Sequence, residues 1–110
     1  MSRIVVLEDD LDQLEMRAML LENLGHRVVR AATVAAAVGS LTDCDVVIMD
    51  LIPGVNDLLS VVPESTRIIV LSGRDSVNEA VAARASEILR KPCPSRTLMA
   101  AVAKWTSPSK

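Results

Sequence analysis

Val46-Val47-Ile48-Met49-Asp50 is a short apolar run that ends on an acid. A run of that length without alternation fits a strand covered on both faces, as in a parallel sheet. The same form recurs three times. Ile4-Val5-Val6-Leu7 runs into Glu8-Asp9-Asp10, Ile68-Ile69-Val70-Leu71 into Ser72, and Ile88-Leu89-Arg90 into Lys91-Pro92. If these runs lie parallel in one sheet, all their polar ends meet at its carboxyl edge, where open α/β sheets bind ligands. Carboxylates, a hydroxyl and an ammonium in one crevice point to a divalent cation and a phosphoryl group.

Helical patterns fill the gaps. Leu11, Leu14, Ala18 and Leu21 share one helical face, with Glu15, Arg17 and Glu22 mostly elsewhere, and Asn23-Leu24-Gly25 is a stop signal. Residues 26–32 hold a further strand around Val28-Val29. Thr33 is placed to cap a helix carrying Val34, Ala37, Val38 and Leu41. Only a short helix fits residues 55–62, between the Pro53-Gly54 turn and Pro63. Asp75 or Ser76 can cap a fourth helix reaching Ala85, and residues 95–105 form a last one. Five alternating β and α units with right-handed crossovers give a doubly wound α/β sandwich of the flavodoxin-like kind. Its expected strand order is 2-1-3-4-5, with short third and fourth helices. Residues 3–105 make one domain, and 106–110 a polar tail.

Composition removes several functions. The 110 residues carry a formal charge of −2, with one Trp and no Phe or Tyr. No basic cluster or aromatic platform recommends nucleic acid as a partner. No run approaches the roughly 20 apolar residues of a membrane span. Met1-Ser2-Arg3 leads directly into a strand rather than a signal peptide, and Cys44 and Cys93 are read as two reduced thiols. The expected location is cytoplasmic. His26 is read as a solvated residue after a helix, and Trp105 as packing.

Mg²⁺ prefers oxygen ligands and often takes one or two carboxylates plus phosphate oxygens. Glu8, Asp9 and Asp50 offer such a set. A carboxylate nucleophile can form an aspartyl phosphate. Lys91 offers a compact cation for the transferred oxygens, and Ser72 Oγ with the N–H groups of Leu51 and Gly73 can donate to them.

With these motifs in order, the chain resembles a receiver domain of a two-component response regulator over nearly its whole length. The carriers are Val6-Leu7-Glu8-Asp9-Asp10, Val47-Ile48-Met49-Asp50-Leu51 with Pro53-Gly54, Val70-Leu71-Ser72-Gly73 and Leu89-Arg90-Lys91-Pro92. The resemblance implies Mg²⁺-dependent phosphorylation of Asp50 by a histidine kinase or phosphotransfer protein. Glu8, Asp9 and Asp50 would hold the metal. Ser72 and Lys91 would hold the phosphoryl group, and the Lys91–Pro92 bond would be cis. Such a chain catalyses only its own phosphoryl transfer and dephosphorylation, acts through protein contacts, and is a monomer or weak dimer.

Four features stand out. Pro53 follows Asp50 by three residues where the family usually has four, so the metal-binding carbonyl falls on Ile52. The strand-5 switch position, usually Tyr or Phe, is Ile88, which excludes a rotating ring as partner to Ser72. Arg74 lies beside the expected phosphate, and Arg84 stands where Gly is frequent. The shortened loop after Asp50, Ile88 and the short third and fourth helices favour, as an alternative, a receiver-like interaction module with degenerate switching, while the presence of Glu8, Asp9, Asp50, Ser72 and Lys91 argues against it. An aspartate-nucleophile phosphatase ranks lower, because Ile52 stands where its second Asp would be.

Overall fold

The computed structural model describes residues 2–73 and 77–106. Its elements alternate as expected: β1 (Arg3–Leu7), α1 (Leu11–Asn23), β2 (Arg27–Ala31), α2 (Val34–Val38), β3 (Val46–Asp50), α3 (Val55–Leu59), β4 (Arg67–Ser72), α4 (Glu79–Arg84), β5 (Glu87–Arg90) and α5 (Ser95–Thr106). All strand pairs are parallel and the sheet order is β2-β1-β3-β4-β5. Consecutive side chains on a strand point to opposite faces, and here both faces are covered. Val5, Leu7, Val47, Met49, Ile68 and Val70 pack with residues of α2, α3 and α4. Ile4, Val6, Val46, Ile48, Ile69 and Leu71 pack with residues of α1 and α5. That division explains the unbroken apolar runs in the sequence.

The register brings the polar strand ends together. Leu7 lies beside Met49, Asp50 beside Leu71, and Ser72 beside Arg90. Glu8, Asp50, Ser72 and Lys91 therefore emerge at one edge.

Helix α1 starts where Asp10 accepts the N–H groups of Asp12 and Gln13 at 3.0 and 3.2 Å. It ends in a Schellman motif. Gly25 takes φ 95°, with Gly25 N–H donating to Glu22 O at 2.9 Å and His26 N–H to Leu21 O at 3.2 Å. The buried stripe, however, is Leu14, Arg17, Ala18 and Leu21, not one beginning at Leu11. Leu11 is 67% exposed because it lies in the first turn, at the end of the helix near the sheet edge. Arg17 takes a place in the stripe because a long aliphatic stem can be buried when its charged head finds a partner.

The shorter helices differ from expectation at their ends. Thr33 Oγ1 caps α2 by accepting Ala36 N–H at 3.1 Å, but Val38 is 39% exposed. Helix α3 stops at Leu59 rather than Val62, although Val62 remains buried. Helix α4 begins after Asn78, whose side chain accepts Val81 N–H at 2.9 Å. Asp75 and Ser76 lie outside the described residues. Arg84 has a definite role: its Nη2 donates to Val62 O at 3.1 Å and Pro63 O at 3.0 Å, fastening α4 to the chain leaving α3. His26 is half-buried rather than solvated, and its buried Nδ1 has no hydrogen-bond partner.

Candidate phosphoryl and metal site at the sheet edge

Asp50 ends the central strand, with its side chain 14% exposed. Lys91 Nζ lies 2.6 Å from its Oδ1, which also accepts Leu51 N–H at 3.1 Å. Lys91 follows β5 and is held there by its own N–H donating to Ser72 O at 2.8 Å. Its peptide bond to Pro92 is cis. Gly73 lies against the Lys91 stem: a Cβ at Gly73 would stand 3.7 Å from Lys91 Cδ, an ordinary contact, so close packing does not demand glycine there. Ser72 is buried at the end of β4.

The acidic side of the crevice follows β1. Glu8 N–H donates to Ala31 O at 3.0 Å, which fixes the start of the loop. Glu8 is buried, Asp9 is exposed and Asp50 is intermediate. One carboxylate oxygen from each lies within 4.8 Å of the others. Burial pushes the Glu8 carboxyl above its ordinary range. The Asp10 N–H and the Arg17 guanidinium oppose that rise, and the nearby Asp50 charge adds to it.

Three hard oxygen donors at this spacing, one open to water, suit Mg²⁺. Ile52 is placed differently from the acids. Its N–H donates to Asp50 O at 3.1 Å and its carbonyl accepts Val55 N–H at 3.3 Å. Gly54, at φ 93° and ψ 0°, makes Ile52–Val55 a type II turn, which the shortened loop brings directly after Asp50. One lone pair of the Ile52 carbonyl is thus committed to the turn.

Ile88 lies on the edge strand beside Val70 and is 37% exposed. Arg74 lies outside the described residues. Trp105 is half-buried against the α1–α5 side of the core. Its Nε1–H donates to Glu87 Oε1 at 2.8 Å, and Arg67 lies over its ring at 5.3 Å from the centroid. Cys93 lines an open groove of about 560 Å³ with Gln13, Met16, Arg17, Lys91 and Pro92. Burial pushes its thiol up, which disfavours the reactive thiolate.

Sequence reasoning missed Arg17, which pairs with Glu8 at the site. The signal was present, because Arg17 sits three residues after Leu14 and four before Leu21, on the core stripe. Its charge made it look like a surface residue.

No protein-family model and no curated protein matches the sequence. Solved structures do match. A response regulator receiver domain protein from Clostridium thermocellum has TM-score 0.79 and 26% identity, over 94% of this chain and 93% of that one. Chemotaxis protein CheY4 of Vibrio cholerae has TM-score 0.84 and 22% identity, over 96% and 98%. The non-phosphorylated HemR receiver domain of Leptospira biflexa has TM-score 0.84 and 20% identity, over 100% and 98%. The chain therefore has the receiver fold over nearly its whole length. Among the described residues, no helix is long and apolar enough to cross a membrane.

Proposed function

We propose that this chain is a phosphorylatable signalling receiver that takes a phosphoryl group onto Asp50 from a histidine kinase or phosphotransfer protein. The observation that carries this reading is Asp50 at the end of the central strand, between an acidic group and Lys91. An Asp50 carboxylate oxygen attacks the phosphorus of the donor. The new bond is O–P, the donor's P–N bond breaks, and its electron pair leaves on the imidazole nitrogen. Mg²⁺, held by Glu8, Asp9 and Asp50, would neutralise charge on the phosphoryl oxygens.

Lys91 exchanges its contact with Asp50 for one with the transferred oxygens. Leu51 N–H, which donates to Asp50 Oδ1 in the free site, turns to the same oxygens, joined by Gly73 N–H. Ser72 donates its hydroxyl to the phosphoryl group. The Lys91 N–H bond to Ser72 O then couples this movement to the chain after β5. Charge added at Asp50 shifts conformation only as far as the two conformations bind it differently.

The type II turn at Ile52 and the aliphatic Ile88 favour a second reading, a receiver-like module that binds partners without switching. Beryllofluoride, a phosphoryl mimic, tests whether the site accepts a phosphoryl group at all. With Mg²⁺ present it is expected to raise the Tm of the wild-type protein and leave that of Asp50→Asn unchanged. No rise in the wild type favours the non-switching module.

A further inference from the structure

Arg17 occupies a place on the buried stripe of α1 where an apolar side chain would serve packing. Its guanidinium instead reaches the sheet edge, where Nη1 donates to Glu8 Oε1 and Nη2 to Gln13 Oε1 at 3.1 Å. The other Glu8 oxygen accepts Asp10 N–H at 3.2 Å. Both charges are withdrawn from water, with side-chain exposures of 11% for Arg17 and 3% for Glu8. A guanidinium stays protonated in proteins, so this positive charge is permanent and present before any metal arrives.

The acidic group is therefore already balanced in part. Among the described residues, Glu8, Asp9 and Asp50 face two cations, Arg17 and Lys91, and these five groups carry a formal charge of −1. We infer that Arg17, held beside Glu8, is a built-in counter-cation whose fixed charge weakens divalent-cation binding and sets the Mg²⁺ concentration at which the site fills. This rests on the reading of Glu8, Asp9 and Asp50 as the metal site. Arg17 touches Glu8 and not the metal's place, acts by its charge at short range, and is a positioning residue. A fixed positive charge about 6 Å from a divalent ion opposes it by about tenfold in affinity even at the dielectric of water, and by more at protein dielectric.

The inference predicts a pattern across variants, read by Mg²⁺ titration calorimetry and by the Mg²⁺ dependence of Tm. Arg17→Met takes the formal charge to −2 and is expected to bind Mg²⁺ about tenfold more tightly, with a lower Tm in the absence of metal. Arg17→Lys keeps the charge and should stay within about threefold of wild type. Glu8→Gln is expected to weaken binding about tenfold. The double variant Glu8→Gln/Arg17→Met restores the wild-type formal charge and should return close to wild-type affinity. If Arg17→Met does not fold, Arg17→Gln replaces it in both the single and the double variant.

A double variant as weak as Glu8→Gln alone would overturn the inference, since Glu8 would then be a ligand that Arg17 does not temper. Unchanged or weaker Mg²⁺ binding in the neutral Arg17 variant would overturn it as well. Absence of Mg²⁺ binding in every variant and in wild type would instead remove the metal-site reading on which it rests, and the inference with it.

Discussion

Lys91→Ala is expected to slow phosphorylation of Asp50 by a small phosphodonor about 10²- to 10³-fold, the usual effect of removing one group that stabilises developing negative charge. The effect follows from the contact between Lys91 and Asp50. Lys91 Nζ is 2.6 Å from Asp50 Oδ1, and the cation is kept there by the β5 end and the Lys91 N–H bond to Ser72 O. The lost ammonium carries positive charge, so Mg²⁺ binding should not weaken, and the effect falls on phosphoryl transfer. Initial rates of adduct formation, taken beside a Mg²⁺ titration, separate the two. A Lys91→Ala rate within about threefold of wild type would place Lys91 outside the reaction.

Ile48→Ala is expected to destabilise the protein by about 2–5 kcal/mol, against a total of about 5–15 kcal/mol for an ordinary domain. Ile48 is fully buried on the central strand, with Val6 beside it on β1 and Ile69 on β4. It belongs to the buried cluster that holds Leu14 and Leu21 of α1 and Leu98 and Val102 of α5, so the lost side-chain carbons leave a cavity inside that cluster. Ile88→Ala, on the edge strand and partly exposed, should have a far smaller effect. Urea unfolding of the two variants checks the contrast. A loss below about 1 kcal/mol at Ile48 would contradict the packing described.

The sheet was legible in the sequence for the reason Ile48 matters. A strand covered on both faces loses its alternation and shows as an unbroken apolar run, as β1, β3 and β4 do. Alternation of elements and the handedness of crossovers pointed to a doubly wound sheet, and the strand order came with the flavodoxin-like class rather than from those rules alone. Helix ends were less legible. Asp75, Ser76 and Asn78 can all cap a helix, and composition does not choose among them; the described cap is Asn78. At α3, Val61 and Val62 continue the apolar pattern while the helix has already ended, because Val62 can be buried from an irregular segment as well as from a helix.

At the edge itself, the sequence brought together Glu8, Asp9, Asp50, Ser72 and Lys91 because each ends a strand or follows one. It did not place Arg17, since a period-based reading counts charge as surface. The pairing with Glu8 depends on how α1 is rotated over the sheet, and that rotation is fixed by Leu14, Ala18 and Leu21 together. The tight turn at Ile52 was legible as a missing residue. What it does to the carbonyl became visible only with the Val55 N–H bond.

The most direct measurement is incubation of the protein with Mg²⁺ and acetyl phosphate, followed by mass analysis of the intact chain and its peptides. The expected result is one acid-stable, base-labile phosphoryl group on the peptide containing Asp50, dependent on Mg²⁺ and absent from Asp50→Asn. An adduct that persists in Asp50→Asn would contradict Asp50 as the phosphoacceptor.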